Sequence, residues 1–394
     1  MKTIRQSPLD PEFVQNPYPF YAATRAQGGL QFWEDYGMPA AFKHAAVHVL
    51  LRDRRLGREV PPELRQAAPD HLKPFYDVED HSMLELEPPS HTRLRKLVLR
   101  AFTSREVEAL KPGLESLCHQ LIDQFSDAPF DLLDAYCVQI PVIAVCRLLG
   151  VPETMAPQVL EWSHAMVAMY QARRSEAIEH QAGQAAAAFS GYLRDYIEQR
   201  RTDPRDDLIT RLIAATEDGD RLSTDELIST CILLLNAGHE ASVHGLGNGV
   251  KTLLEHGPDP VWLTPEAIEN TVEEILRFDP PLHMFTRYAY EDVDIFGHTL
   301  KRGDQVALLL GAANRDPAVC DDPDDFDPTR RAKTNVAFGG GLHFCVGAPL
   351  ARLELQVALP ILFDRCPGLR LAAAPRYSNT YHFHGLSRLM VSTT

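Results

Sequence analysis

A mainly helical α+β fold, with small β-sheets beside a large helical body, is what the sequence predicts, on three observations. Apolar residues recur at three- and four-residue spacing from Thr103 to Leu235, interrupted by "DPRDD" at 203–207. Prolines cluster toward both ends of the chain. In the late part lie the short alternating runs "DVDIFGHTL" and "GDQVALLL" and the segment "YSNTYHFHGLSRLMV", which read as strands.

The 394 residues are 45% apolar, enough for a substantial core. No repeat, low-complexity tract or linker divides them, so one domain over 1–394 is expected. Lys and Arg number 39 against 54 Asp and Glu, a formal charge of −15 that argues against a nucleic-acid partner. No stretch approaches the ~20 continuous apolar residues of a membrane span, so no membrane partner is expected. The opening "MKTIRQSPLDPEF" lacks the apolar core of a signal peptide. The seven cysteines (118, 137, 146, 231, 320, 345, 366) are scattered, with no CxxC pair, and the expectation is free thiols in the cytoplasm.

Two helices can be placed from their ends. "STDE" offers Ser223 as N-cap with Glu226 three residues on, a capping box, and the helix it opens should run to about Leu254. Its "CILLLNAG" segment is apolar on several faces, which predicts a central, buried position. The second should begin at Thr264 with Pro265 in its first turn and end before Pro280.

The chemistry concentrates in "AFGGGLHFCVGAPLARLE", residues 337–354. Pro349 suits a first helical turn and "LARLELQVALPILF" continues with helical periodicity, so Cys345 sits at a helix N-terminus. The N–H groups and positive dipole end there stabilise a thiolate. Three glycines before it open backbone conformations closed to other residues and let a flat ligand approach. A thiolate facing a flat ligand, with N–H groups aimed at sulfur, is what an axial haem ligand requires. A buried inert cysteine is the alternative for a lone Cys; zinc fits less well, because only His343 lies nearby at usable spacing.

"FGGGLHFCVG" matches Phe-x-x-Gly-x-x-x-Cys-x-Gly, with Phe338, Gly341, Cys345 and Gly347 in register, and on this pattern the chain resembles the cytochrome P450 superfamily of haem-thiolate monooxygenases. The resemblance implies a P450-like fold with haem b between the long central helix and the cysteine loop, and no fused reductase. It implies Cys345 as the iron ligand, His343 as a donor to a haem propionate, and Phe338 beside the sulfur. "EEILR" supplies Glu274 and Arg277 at the family's Glu-x-x-Arg, with Arg330 of "FDPTR" as their structural partner. His91 and Arg95 of "PPSHTRLRKLVLRAFT", with Arg287, match the remaining propionate contacts; two buried negative charges need such partners.

"LLLNAGHEAS" resembles the family's oxygen-side segment, Ala/Gly-Gly-x-Asp/Glu-Thr. Ala237 and Gly238 are the small residues against the macrocycle, and Glu240 is the acid that helps deliver protons. The usual threonine is replaced by Ala241, with Ser242 one position on. Glu240 and Ser242 are the candidate relay; an ordered water or a substrate hydroxyl could serve instead, or reduced oxygen could leak as peroxide. Of Asn236 and His239 on the same helix, at least one should be structural.

The resemblance places Met83, Leu84, Leu282, His283, Phe285, His382 and Phe383 along a pocket for a small organic substrate, with Met284 and Asn379 nearby. Electrons should come from a separate ferredoxin or flavodoxin with its reductase, docking at a basic patch of Arg93, Lys96, Arg100, Arg331 and Lys333. The activity implied is insertion of one atom of O2, as hydroxylation or oxidative dealkylation. A peroxide-driven haem enzyme and a non-catalytic haem-based binder of small molecules or gas are the alternatives.

Overall fold

The computed structural model describes residues 1–171, 174–216, 219–330, 335–381 and 383–393. Seven helices position the site: α1 (Ser90–Ala101), α2 (Gln139–Leu149), α3 (Ala156–Val167), α4 (Glu176–Thr202), α5 (Thr224–His256), α6 (Ile268–Phe278) and α7 (Ala348–Arg365). The interruption at "DPRDD" is real. Helix α4 ends at Thr202, and Asp207 caps the next short helix, Leu208–Ala214, by accepting from the Thr210 amide.

Helix α5 is the axis of the molecule. Ser223 and Glu226 close the expected capping box. Its 33 residues span roughly 50 Å at 1.5 Å per residue. Helices α2, α3, α4, α6 and α7 all pack on it, which is why its sequence is apolar on several faces. Helix α6 starts at Ile268, later than the Thr264 start that Pro265 suggested. Residues 264–267 form a turn whose Thr264 carbonyl accepts from the Ala267 and Ile268 amides. Its end at Phe278, before Pro280, is as expected.

The main sheet has six strands: β1 (Lys2–Ile4), β2 (Leu30–Trp33), β3 (Met38–Ala41), β4 (Leu56–Gly57), β5 (Met284–Ala289) and β6 (Gln305–Leu309). Their order is β1-β2-β3-β6-β5-β4. Strands β5 and β6 pair antiparallel from Met284–Leu309 to Tyr288–Gln305, which fixes the register of Phe285 and Arg287. "DVDIFGHTL" folds as a hairpin of Val293–Ile295 with His298–Leu300. Its two-residue turn, Phe296-Gly297, has φ of 51° and 76°, matching a tight hairpin twist. Near the C-terminus Arg376–Tyr377 pairs with Leu386–Arg388, while Met390–Ser392 joins Arg370–Leu371 and Phe130–Asp131.

The largest apolar core lies among the helices, and two smaller ones lie against the sheet. Among the described residues no helix is long and apolar enough to cross a membrane.

Candidate active site

The loop before α7 is closed on itself by a hydrogen bond from the Cys345 amide to the Phe338 carbonyl at 3.1 Å. Gly341 turns the chain with φ of 69°; a Cβ there would sit 2.4 Å from the Leu51 carbonyl oxygen. Only glycine fits both demands. Gly347 is the N-cap of α7. The Cys345 sulfur faces the amides of Gly347 and Ala348, with the guanidinium groups of Arg95 and Arg352 near it. Burial pushes the thiol up, and these four groups oppose burial; all four favour an anionic sulfur. Arg352 stands 4.5 Å over the Phe338 ring and pairs with Glu273, which also accepts from Asn335 at 2.7 Å.

Opposite the loop, α5 presents Leu233, Ala237 and Ala241 at four-residue spacing. Ala237 is exposed although it lies mid-way along a largely buried helix. The two alanines leave room on this face for a flat macrocycle. Gly238 belongs to another face, one residue and about 100° round. A Cβ on Gly238 would lie 3.1 Å from Val145 on α2, so its size serves helix packing rather than contact with a cofactor.

Four polar residues reach the same region from three elements. His91 and Arg95 lie on α1, Arg287 on β5 and His343 in the cysteine loop. Arg287 is buried, and its hydrogen bond is to its neighbour's carbonyl, Thr286, at 2.8 Å. Nδ1 of buried His91 has no hydrogen-bond partner. Arg95 donates to the Phe344 carbonyl at 2.7 Å, and His343 sits 2.8 Å from Glu87. A buried guanidinium and an orphaned imidazole nitrogen fit a dianionic group between them. Burial, then His343 and Arg95, push His91 down to about 4.

Behind the cysteine loop, Glu274 and Arg277 form a bidentate pair, with Arg330 at 3.5 Å and the Asp327 amide at 2.9 Å from the same carboxylate.

Glu240 is buried, and burial lifts its carboxyl to about 7. Its oxygens lie 3.2 Å from His164 Nε2 on α3 and 3.7 Å from both His239 and His244. Asn236 turns to α3, its amide 3.7 Å from Met166 Sδ. Ser242 does not join Glu240. Two residues along a helix is about 200°, and Ser242 instead lies toward the buried carboxyl of Glu354 on α7, whose oxygens close no hydrogen bond within normal distance, and offsets part of its burial. Ala241, in the threonine position, puts a methyl on the Ala237 face.

A cavity of about 570 Å³ opens beside Glu240, and its lining includes Met284, Phe285, Asn379 and Phe383. The other expected lining residues do not bound this cavity. His283 is fully buried behind the sheet, 2.9 Å from the Tyr21 hydroxyl. Met83 is packed in the helical core. Leu84 is half-buried outside the cavity, and Leu282 bridges to the Phe383 backbone. His382 lies outside the described residues. The reading from sequence missed Arg58, Glu85, His164, His244 and Tyr288, which also line the cavity. They come from five separate segments, and no local pattern signals them.

Of the expected basic patch, Arg93 is engaged in ion pairs. Arg93 pairs with Asp220 at 3.3 Å and with Glu226 at the start of α5. Arg331 and Lys333 lie outside the described residues. Lys96 is exposed on α1, as are Leu99 and, beside Cys345, Phe344.

Comparison with known proteins agrees with this geometry. The family profile "Cytochrome P450" matches residues 266–367. "Cytochrome P450 107B1" of Saccharopolyspora erythraea is 42% identical, over 97% of this chain and 96% of its own. "Vitamin D(3) 25-hydroxylase" of Pseudonocardia autotrophica is 40% identical, over 96% of this chain and 94% of its own. The crystal structure of P450BioI in complex with an acyl carrier protein carrying hexadec-9Z-enoic acid superposes with a TM-score of 0.91 at 34% identity, covering 97% of this chain and 100% of that one.

Proposed function

The chain belongs to the cytochrome P450 superfamily and is a haem-dependent monooxygenase acting with O2; from that premise we propose that the haem is haem b, held by Cys345 between the loop 338–347 and the Ala237 face of α5. The observation that carries this is the sulfur at the N-terminus of α7, under the amides of Gly347 and Ala348 with Arg95 and Arg352 beside it. When bound, the haem supplies the oxygen chemistry, its thiolate favouring O–O cleavage.

The chain's residues bind, orient and move protons. Gly347 and Ala348 hold the thiolate. His91, Arg95, Arg287 and His343 take the propionates. Phe338 and its stacked Arg352 wall the sulfur, while Glu274, Arg277 and Arg330 brace the structure behind it. Glu240 holds a proton on a carboxyl poised near neutrality, the condition for general acid–base work.

The substrate is a small organic molecule, set against Met284, Phe285 and Phe383 and oriented by polar groups such as Tyr288, Asn379 and the Arg58–Glu85 pair, whose atoms lie 2.6 Å apart. The reaction is hydroxylation or oxidative dealkylation. Electrons come from a ferredoxin or flavodoxin that meets the face carrying Phe344, Leu99 and Lys96. Lys96→Glu should slow partner-driven turnover and leave peroxide-driven turnover unchanged. Seven cysteines without a disulfide suit the cytoplasm, and residues 1–394 work as one domain. The Ala241 methyl favours peroxide-driven turnover as a second reading.

The test is spectroscopic. The reduced carbon monoxide complex of native protein should show thiolate ligation, and Cys345→His should convert it to the histidine type. A histidine-type spectrum in native protein defeats the assignment. A ligand screen read by the haem spin state then identifies the substrate class.

A further inference from the structure

Glu240 is ringed by imidazoles, and two of them, His239 and His244, have a buried nitrogen without a hydrogen-bond partner. His239 is fully buried; its Nδ1 donates to the Leu235 carbonyl at 2.8 Å, which fixes the tautomer and leaves the lone pair on Nε2. That Nε2 has no hydrogen-bond partner and lies 3.7 Å from Glu240 Oε1. A buried, orphaned imine nitrogen with its other nitrogen anchored to a backbone carbonyl is how a metal-ligating histidine is prepared. His164 Nε2 approaches the same carboxylate oxygen to 3.2 Å from α3. Its side chain is 55% exposed, which gives an ion a way in from water.

We propose that His164 Nε2, His239 Nε2 and a Glu240 carboxylate oxygen form a binding site for a divalent zinc-class ion in the wall of the substrate cavity. The three ligand atoms lie within 4.8 Å of one another. Ligands bound to zinc at about 2.0–2.2 Å stand some 3.3 Å apart, so a small swing of the half-exposed His164 closes the set. Two imidazoles and one carboxylate select zinc and its transition-metal neighbours over Ca2+ or Mg2+, which take all-oxygen sites. Burial holds His164 below its ordinary value and His239 at about 4, so both nitrogens are unprotonated at neutral pH, in support of the geometry. The His244 ring stands 3.7 Å from the other Glu240 oxygen. Three protein ligands leave at least one position for water. Filled, the site takes the Glu240 carboxylate out of proton handling, so zinc is a reversible inhibitor of turnover.

The inhibition rests on the proposed function, but the site does not, because zinc retention is measured without turnover. Haem-loaded protein is stripped with chelator, equilibrated with Zn2+ and dialysed, and zinc is counted per haem. One equivalent should remain, with two imidazoles in the zinc X-ray absorption spectrum. His164→Ala, at a half-exposed position that spares the fold, should weaken binding at least roughly tenfold. His71→Ala, in a separate histidine pair with ring centroids 4.3 Å apart, should not. Equal zinc affinity in wild type and His164→Ala, loss on His71→Ala, or equal retention of Ca2+ overturns the proposal.

Discussion

Glu274 and Arg277, one turn apart on α6, close two parallel hydrogen bonds of 2.7 Å in a site that leaves them 0% and 4% exposed. The same guanidinium also donates to the carbonyls of Pro323 at 2.8 Å and Asp325 at 3.0 Å. It therefore pins the segment leading into the cysteine loop as well as neutralising a carboxylate. Removing one member of a buried pair strands the other, at about 3–5 kcal/mol. Arg277→Met should be the worse single change, because it also orphans the two carbonyls. Glu274→Leu combined with Arg277→Met should lose less than the sum of the single changes, since neither member of the pair is left buried without the other. Thermal and denaturant midpoints of the three variants check this; strict additivity contradicts it.

The cysteine loop makes a contrasting pair of glycine predictions. Gly341→Ala forces a side chain into a positive φ and against the Leu51 carbonyl. Backbone cannot yield as a rotamer can, so the loop must shift, and the shift moves Cys345. Haem content per protein should fall several-fold while far-ultraviolet dichroism keeps its helical signal. Gly347→Ala, with φ of −82° and a Cβ in ordinary contact 3.8 Å from the sulfur, should keep its haem. Full haem content in Gly341→Ala contradicts the assigned loop geometry.

Burial raises Glu240 to about 7, above the ordinary glutamate value. The folded state therefore holds this proton more tightly than the unfolded chain does. The stabilisation is complete below the unfolded value of about 4.3 and is lost as pH rises toward 7. Above 7 the carboxyl has no proton to give. Product formed per reducing equivalent should decline as pH rises through 7. Glu240→Gln should lower that yield and abolish both slopes. A variant with wild-type yield and an unchanged pH profile would falsify the proton-handling role.

Ser242 behaves differently because it faces Glu354. Burial lifts Glu354 to about 8, and the serine partly opposes this. Ser242→Ala removes that opposition and pushes the carboxyl higher. The folded state then loses stability over a wider alkaline range, since a raised carboxyl gives up its stabilisation as pH climbs through its folded value. The stability gap between variant and wild type should widen from pH 6 to pH 9, read from thermal midpoints, while yield per reducing equivalent stays unchanged. A lowered yield at constant stability would return Ser242 to the relay.

What could be read in the sequence was what local chemistry specifies. The Ser223 cap, the proline stop after Phe278 and the glycines before Cys345 act within a few residues, and each does what its chemistry requires. The Glu274–Arg277 pair was legible for the same reason: three residues along a helix is one face. The cavity was not. Arg58, His164 and Tyr288 line one cavity through tertiary packing that no periodicity encodes. His283 lies just before β5, and its ring turns to the Tyr21 hydroxyl instead of the cavity, a long-range contact that no local pattern signals. Helix rotation likewise separates Ser242 from Glu240 and turns Gly238 away from Ala237, a distinction that adjacency in a motif hides.

The Ala241 methyl yields the last prediction. Ala237 and Ala241 are four apart and share the accessible face of α5, so a side chain at 241 points where Ala237 points. A hydroxyl there could hold an ordered water or a proton beside the haem face; a methyl can do neither. Glu240 is the adjacent residue, about 100° round the helix, and with its carboxyl near neutrality it could exchange a proton with such a hydroxyl. Ala241→Thr should therefore raise product per reducing equivalent and lower hydrogen peroxide released in partner-driven turnover. It should also slow peroxide-driven turnover, because the added atoms occupy space that hydrogen peroxide would use. The β-branched side chain costs a few tenths of a kcal/mol in helix propensity, about what an exposed site tolerates. Parallel assays of product, peroxide and reductant consumed separate the outcomes. If peroxide release and yield are both unchanged in a variant with full haem content, the Ala241 face is not where protons are delivered.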